Sequence, residues 1–221
     1  MENPDPQSGV PQSDAPLLGE PLPVELMNTV WADRDGLHDA LADTDGLARW
    51  LRAVAPRFEP ALAADEPAAD SAPAPPAPLA DRYRRLRDAL RRLAAIATED
   101  PRPAAASAAP DLATAVEAVN RACAYAPTWS RMEWPDGGAP SRGTAGAPPH
   151  TTAAAALSRI AEQGVDLFTG PDRDALRACR APGCVLYFVR AHPRREWCSA
   201  NCGNRARVAR HYQRHHTDPP A

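Results

Sequence analysis

Four of the five cysteines, Cys179, Cys184, Cys198 and Cys202, lie close together near the C-terminus. They read C-x4-C, a gap of thirteen residues, then C-x3-C. Four thiolates in two close pairs suit a tetrahedral zinc ion, each pair supplying two ligands from one turn. The chain opens on an acidic, Pro-rich segment with no basic region followed by an apolar one, so a reducing, cytoplasmic setting is expected and metal is favoured over disulfides. Four cysteines would close the coordination shell, so one structural zinc is expected rather than a catalytic one.

Pro182-Gly183 would supply the tight turn inside the first pair. The run Val185–Val189 reads as a strand, His192-Pro193 as a turn, and the segment from Ser199 onward as a helix capped by Ser199 or Asn201. A knuckle, a hairpin and then a helix carrying the last ligand is a treble-clef-like arrangement. At about 100° per residue, Arg207, Arg210, His211 and Arg214 share one stripe of that helix. Val208 and Tyr212 lie on the face expected to pack against the hairpin. Arg205 falls away from the stripe, and two readings stay open for it, nucleic-acid contact or bracing of the finger. Arg207, Arg210 and Arg214, with Arg194 and Arg195 from the hairpin tip, are phosphate candidates, and Asn204, Arg207 and Arg210 candidate base readers. His211, His215 and His216 read as surplus to a complete cysteine set.

Charge agrees with a polyanionic partner. Residues 1–172 carry 15 Arg and 25 Asp or Glu, a net of −10, whereas residues 173–221 carry 10 Arg and 3 Asp or Glu, a net of +7. Zinc and four thiolates would leave the C-terminal part about +5. All 25 basic residues are arginine.

The elements that must position this segment are helical. Aromatics are 5% of the chain, and 26 prolines with 12 glycines argue against one dense core. Mean hydropathy is −0.45 and no apolar run reaches the roughly 18 residues of a membrane span, so no membrane partner is expected. Apolar residues recur every three or four positions in 23–32, 46–55, 79–97, 111–126 and 151–168. A short helix is expected from Pro171 through Leu176. Thr44 or Asp45 should cap the second stretch and Asp111 the fourth, with Leu112, Val116, Val119 and Cys123 facing inward. The arginines of 79–97 read as a solvated face. Segments 56–78, 98–110 and 135–150, rich in Pro, Ala, Gly and Ser, read as loops, and no strand is evident in the body. The expected fold is mainly α: a tail over 1–20, a helical domain over 21–172, a zinc finger over 173–216 and a tail over 217–221.

The string WCSANCGNRARVARHYQRHH following C-x4-C resembles the CGNR zinc finger. PVELMNTV (23–30) and DTDGLARWL (43–51) resemble the opening of its helical companion, the ABATE domain of bacterial stress-induced transcription regulators. Together the resemblance spans about 20–216. It implies DNA binding by the finger, with the helical domain as sensor or dimerisation unit. A homodimer and a small-molecule effector are the further partners it allows. No nucleophile–base pair, phosphate loop or H-E-x-x-H stands in the chain, so an enzyme is not expected. The competing reading is a protein-interaction module whose finger docks an acidic partner.

Overall fold

The computed structural model describes residues 15–58, 74–102, 109–146 and 151–216. Its centre is α3 (Ala77–Ala97), whose Leu79, Tyr83, Leu86, Ala89, Leu90 and Ala94 are buried. Against it pack α4 (Leu112–Cys123), α5 (Thr152–Thr169) and the short α1 (Leu22–Met27). Small residues let these helices approach closely. α4 buries Ala115, Val119 and Ala122, and α5 buries Ala154, Leu157, Ile160, Ala161, Gly164 and Leu167. A Cβ on Gly164 would lie 2.9 Å from Leu90 Cδ2, so the Leu90 side chain of α3 seats directly against the α5 backbone. α2 (Thr44–Val54) buries Leu47, Trp50 and Val54, with the Trp50 ring edge-on to Tyr83 at 6.3 Å. Fully burying a side chain of this size contributes about 1.5–3 kcal/mol.

Several sequence expectations change in the structure. The segment 23–32 does not stay helical. α1 ends at Asn28, and β1 (Val30–Asp33) pairs antiparallel with β2 (Gly36–Asp39). A second hairpin pairs β3 (Thr128–Glu133), in a stretch given no element, with β4 (Ser141–Gly146), inside the segment 135–150 read as a loop. Both were missed because their strands lack alternating β-branched residues, and only pairing makes them strands. The cap of α2 is Asp43, whose carboxylate accepts from the Gly46 N–H, rather than Thr44 or Asp45. Asp111 caps α4 as expected, accepting from the Thr114 N–H. Leu112 and Val116 are exposed, because α4 turns its alanine face to α3.

The arginines of α3 are not all solvated. Arg87 is buried and pairs with Asp39 at 2.5 Å, and Arg91 is buried and donates to the Met27 carbonyl at 2.9 Å. They sew α1 and β2 onto α3. Residues 15–20 were expected in the tail. Ala15 and Glu20 are instead buried, and the Leu18 and Glu20 N–H groups donate to the Glu25 carboxylate at 3.1 and 2.8 Å. Residues 1–14 and 217–221 lie outside the described residues. Among the described residues no helix is long and apolar enough to cross a membrane.

Candidate metal centre

A five-residue 3-10 turn (Pro171–Ala175) follows α5 and delivers the chain to β5 (Leu176–Ala178). β5 pairs antiparallel with β6 (Tyr187–Val189), Ala178 opposite Tyr187. The tight turn between them carries Cys179 and Cys184. The hairpin therefore straddles the first cysteine pair rather than filling the gap between the pairs. The Cys179 N–H donates to the Leu186 carbonyl at 2.9 Å and the Cys184 N–H to the Ala181 carbonyl at 3.0 Å. Gly183 sits at φ +71°, a conformation that glycine adopts without Cβ strain. The chain then turns at His192–Arg195, where the Arg195 N–H donates to the His192 carbonyl at 2.9 Å. It brings Cys198 to the start of α6 (Ala200–His216), with Cys202 in the helix's first turn. Ser199 caps this turn: its Oγ accepts from the Cys202 N–H at 3.3 Å.

The four sulfurs converge. All lie within 4.8 Å of one another, and all four cysteines are buried and free of disulfides. The Cys198 and Cys202 sulfurs are 3.4 Å apart, those of Cys184 and Cys198 3.8 Å. A tetrahedron of Zn–S bonds of about 2.3 Å has edges of about 3.8 Å, so the donor set fits one structural zinc ion. Hydrogen bonds from the Cys184 and Cys198 side chains hold the Cys179 thiol down, to about 2. The same contacts push Cys184 up to about 12 and Cys198 upward as well, with burial adding to both. The cluster thus resists full ionisation by itself, and a divalent cation is the group that offsets four negative sulfurs.

A family model for ABATE, described as a putative stress-induced transcription regulator, matches residues 20–171, and one for the CGNR zinc finger matches residues 175–215. The chain belongs to the ABATE family. A search of curated proteins finds no match.

The CGNR string now has a physical reading. Cys202 is in the sulfur cluster. A Cβ on Gly203 would lie 3.1 Å from Trp197 Cδ1, so glycine lets that ring close over the helix start. Asn204 Oδ1 accepts from the Arg207 guanidinium. Arg205 donates to Cys202 Sγ at 3.0 Å, and this bond raises its own pKa.

The ABATE domain grips the finger through polar groups that spacing in the sequence did not reveal. Asn28, fully buried at the end of α1, donates to the Tyr187 carbonyl and accepts from the Tyr187 N–H, both at 2.9 Å. It takes the place of a neighbouring strand along β6. Glu20 accepts from the Val189 N–H at 2.8 Å and pairs with Arg195. Arg195 also donates to the carbonyls of Val189 and Cys198, at 3.1 and 3.0 Å, and lies over the Phe188 ring. Arg91 reaches from α3 to the Val185 carbonyl at 3.4 Å. Arg102 stands in a segment read as a loop. It donates to the carbonyls of both Cys179 and Cys184 and is held by Asp100. Burial alone would push the Asp100 carboxyl up, but hydrogen bonds from Arg102 and Tyr187 outweigh it and hold the pKa low. Asn28 alone stood within a string that carried the family resemblance, PVELMNTV (23–30); a surface ion pair and a buried clamp look alike in sequence.

Arg194, Asn204, Arg207, Arg210 and Arg214 are exposed. Arg210 lies 3.9 Å from the exposed Glu196 and over the half-buried Trp197 ring. α6 buries only Cys202, Gly203 and Ala206 among its described side chains. Val208 and Tyr212, expected to pack on the hairpin, are 54% and 60% exposed, because the helix leaves the finger one turn after Cys202. The side chains of His215 and His216 lie outside those described.

Proposed function

We propose that this protein is a zinc-dependent, DNA-binding transcriptional regulator in which α6 is the DNA-reading element and the ABATE domain the sensor or dimerisation unit. One observation carries the reading: α6 places Cys202 of the sulfur cluster in its first turn and extends beyond it with Arg207, Arg210 and Arg214 exposed. A helix anchored at one end, basic and exposed beyond, is the shape that enters a major groove. Arg194 stands in the turn beside it. Arg207, Arg210, Arg214 and Arg194 are assigned to phosphate or base contacts, with Asn204 at the helix start. Arg195 and Arg205 are assigned to bracing, since Arg195 is committed to Glu20 and backbone carbonyls and Arg205 to the Cys202 sulfur. The closed cysteine shell leaves no coordination position for catalysis, and the function assigned is non-enzymatic.

A second reading, in which α6 docks an acidic protein partner, draws on the exposed Val208 and Tyr212 beside the arginines. Duplex-DNA binding by the zinc-loaded protein at two salt concentrations separates the two. DNA binding that weakens steeply with salt, and is lost in Cys202→Ser together with the zinc, supports the regulator. Zinc-loaded protein that ignores duplex DNA at low salt leaves the protein-docking reading.

A further inference from the structure

Three of the four cysteines have their backbone carbonyl held by a guanidinium tied to the ABATE domain. Arg102, just beyond α3, donates from Nη1 to the carbonyl of Cys179 at 2.5 Å and to that of Cys184. Its Nε and Nη2 are fixed by Asp100 at 2.7 and 2.6 Å, and the Tyr187 hydroxyl on β6 donates to the same carboxylate at 3.0 Å. Arg195 holds the Cys198 carbonyl and is paired in turn with the buried Glu20. Cys202 differs. Its amide bonds Ser199 and its sulfur Arg205, both within the finger.

We propose that Arg102 is a positioning residue for the metal: the ABATE domain pre-forms the C-x4-C half of the site, and the ion then latches α6 onto it through Cys202. The knuckle must aim two sulfurs at one point. A guanidinium bonded to both cysteine carbonyls, and itself held by Asp100, fixes the turn before the metal arrives and sets a positive charge beside the sulfurs. α6 has no such support. Beyond Ala206 its described side chains are exposed or half-buried, so losing the ion frees the helix while β5 and β6 stay docked on Asn28 and Glu20. That release bears on DNA only under the reading above, and the tests below read metal and backbone instead.

The first test measures zinc transfer from the full-length loaded protein to a chromogenic chelator. Arg102→Met is expected to release zinc about 10–100-fold faster than wild type. Arg102→Lys, which keeps a cation and donors, should fall between them, and Arg121→Ala on the exposed face of α4 should match wild type. The gap in Tm between zinc-loaded and zinc-free protein should narrow in Arg102→Met. If Arg102 merely braced the fold, both Tm values would drop together and zinc release would not change, which overturns the proposal. Should Arg102→Met fail to fold, Asp100→Asn, which keeps the guanidinium but weakens its anchor, must show the same faster release. The second test is amide exchange in the zinc-free wild type. The Tyr187 amide, bonded to Asn28, should stay protected while the α6 amides exchange rapidly. Loss of protection at both together would refute the latch.

Discussion

At the scale of single residues, the arginines near the metal divide by what their guanidinium groups touch rather than by where they stand in the sequence. Arg205 is the third residue after Cys202 and returns to its sulfur, whereas Arg207 reaches only the exposed Asn204. Under the regulator reading, Arg207→Ala should weaken DNA binding across sequences and lower the magnitude of the salt slope by about one. Arg205→Ala should leave that slope unchanged and speed zinc loss; fluorescence-anisotropy titrations at several salt concentrations distinguish them. The thiols make a second prediction. Cys184 and Cys198 hold their protons well above neutral pH in the metal-free cluster, so zinc must displace those protons to bind. Zinc affinity should therefore rise with pH through the neutral range. Calorimetry of zinc binding in two buffers of different ionisation enthalpy should give different apparent heats, and identical heats would contradict the assignment.

Elements are held here by a few buried polar residues that act between them. Asn28 ends α1 and satisfies both backbone groups of Tyr187 on β6, 159 residues away. Asn28→Ala would leave a buried N–H and a buried carbonyl unpaired, each costing about 1–3 kcal/mol. Denaturant unfolding should show a loss of that order, with the finger's amides among those losing protection. By contrast, Asp43→Ala removes a cap from α2 alone, costs about 1 kcal/mol, and should not alter zinc release. The finger's own elements are short. β5 and β6 are three residues each, too few to form a stable hairpin alone, and they persist because Asn28 and Glu20 complete the outer hydrogen bonding of β6 and Arg91 holds the Val185 carbonyl just before it.

For the whole molecule, the consequence is a finger built onto its partner domain rather than strung after it. Tyr187 belongs to the helical core, whereas Phe188 on the opposite face of β6 belongs to the small cluster around the cysteines. One strand thus serves two cores, and Trp31 packs against both. The large core around α3 contains none of the four clustered cysteines. Chelating the zinc should lower Tm but leave most of the far-UV helical signal, since α3, α4 and α5 pack without the metal. Collapse of that signal on chelation would show that the ABATE domain depends on the ion for its fold.

The sequence by itself determined what local chemistry can determine. The four cysteines and their Pro-Gly turn declared a metal centre, because ligand spacing is a property of the chain. The spacing of Leu79, Tyr83, Leu86 and Leu90 declared α3, and Asp111 declared the start of α4, because helix periodicity and capping are local as well. The wheel placed Arg207, Arg210 and Arg214 on one stripe but gave Val208 and Tyr212 a packing partner that the fold does not provide. Only the tertiary structure decided which side of a helix is covered. It exposed Leu112 and Val116 on α4 while burying Arg87 and Arg91 on α3. It also turned Glu20, Asn28, Asp100 and Arg102 from tail, helix and loop residues into the supports of the metal site. Their partners lie between two and about 175 positions along the chain, and each group is satisfied only once burial removes water as the alternative. A buried hydrogen bond takes its meaning from the neighbour across the fold, and no window of sequence contains both.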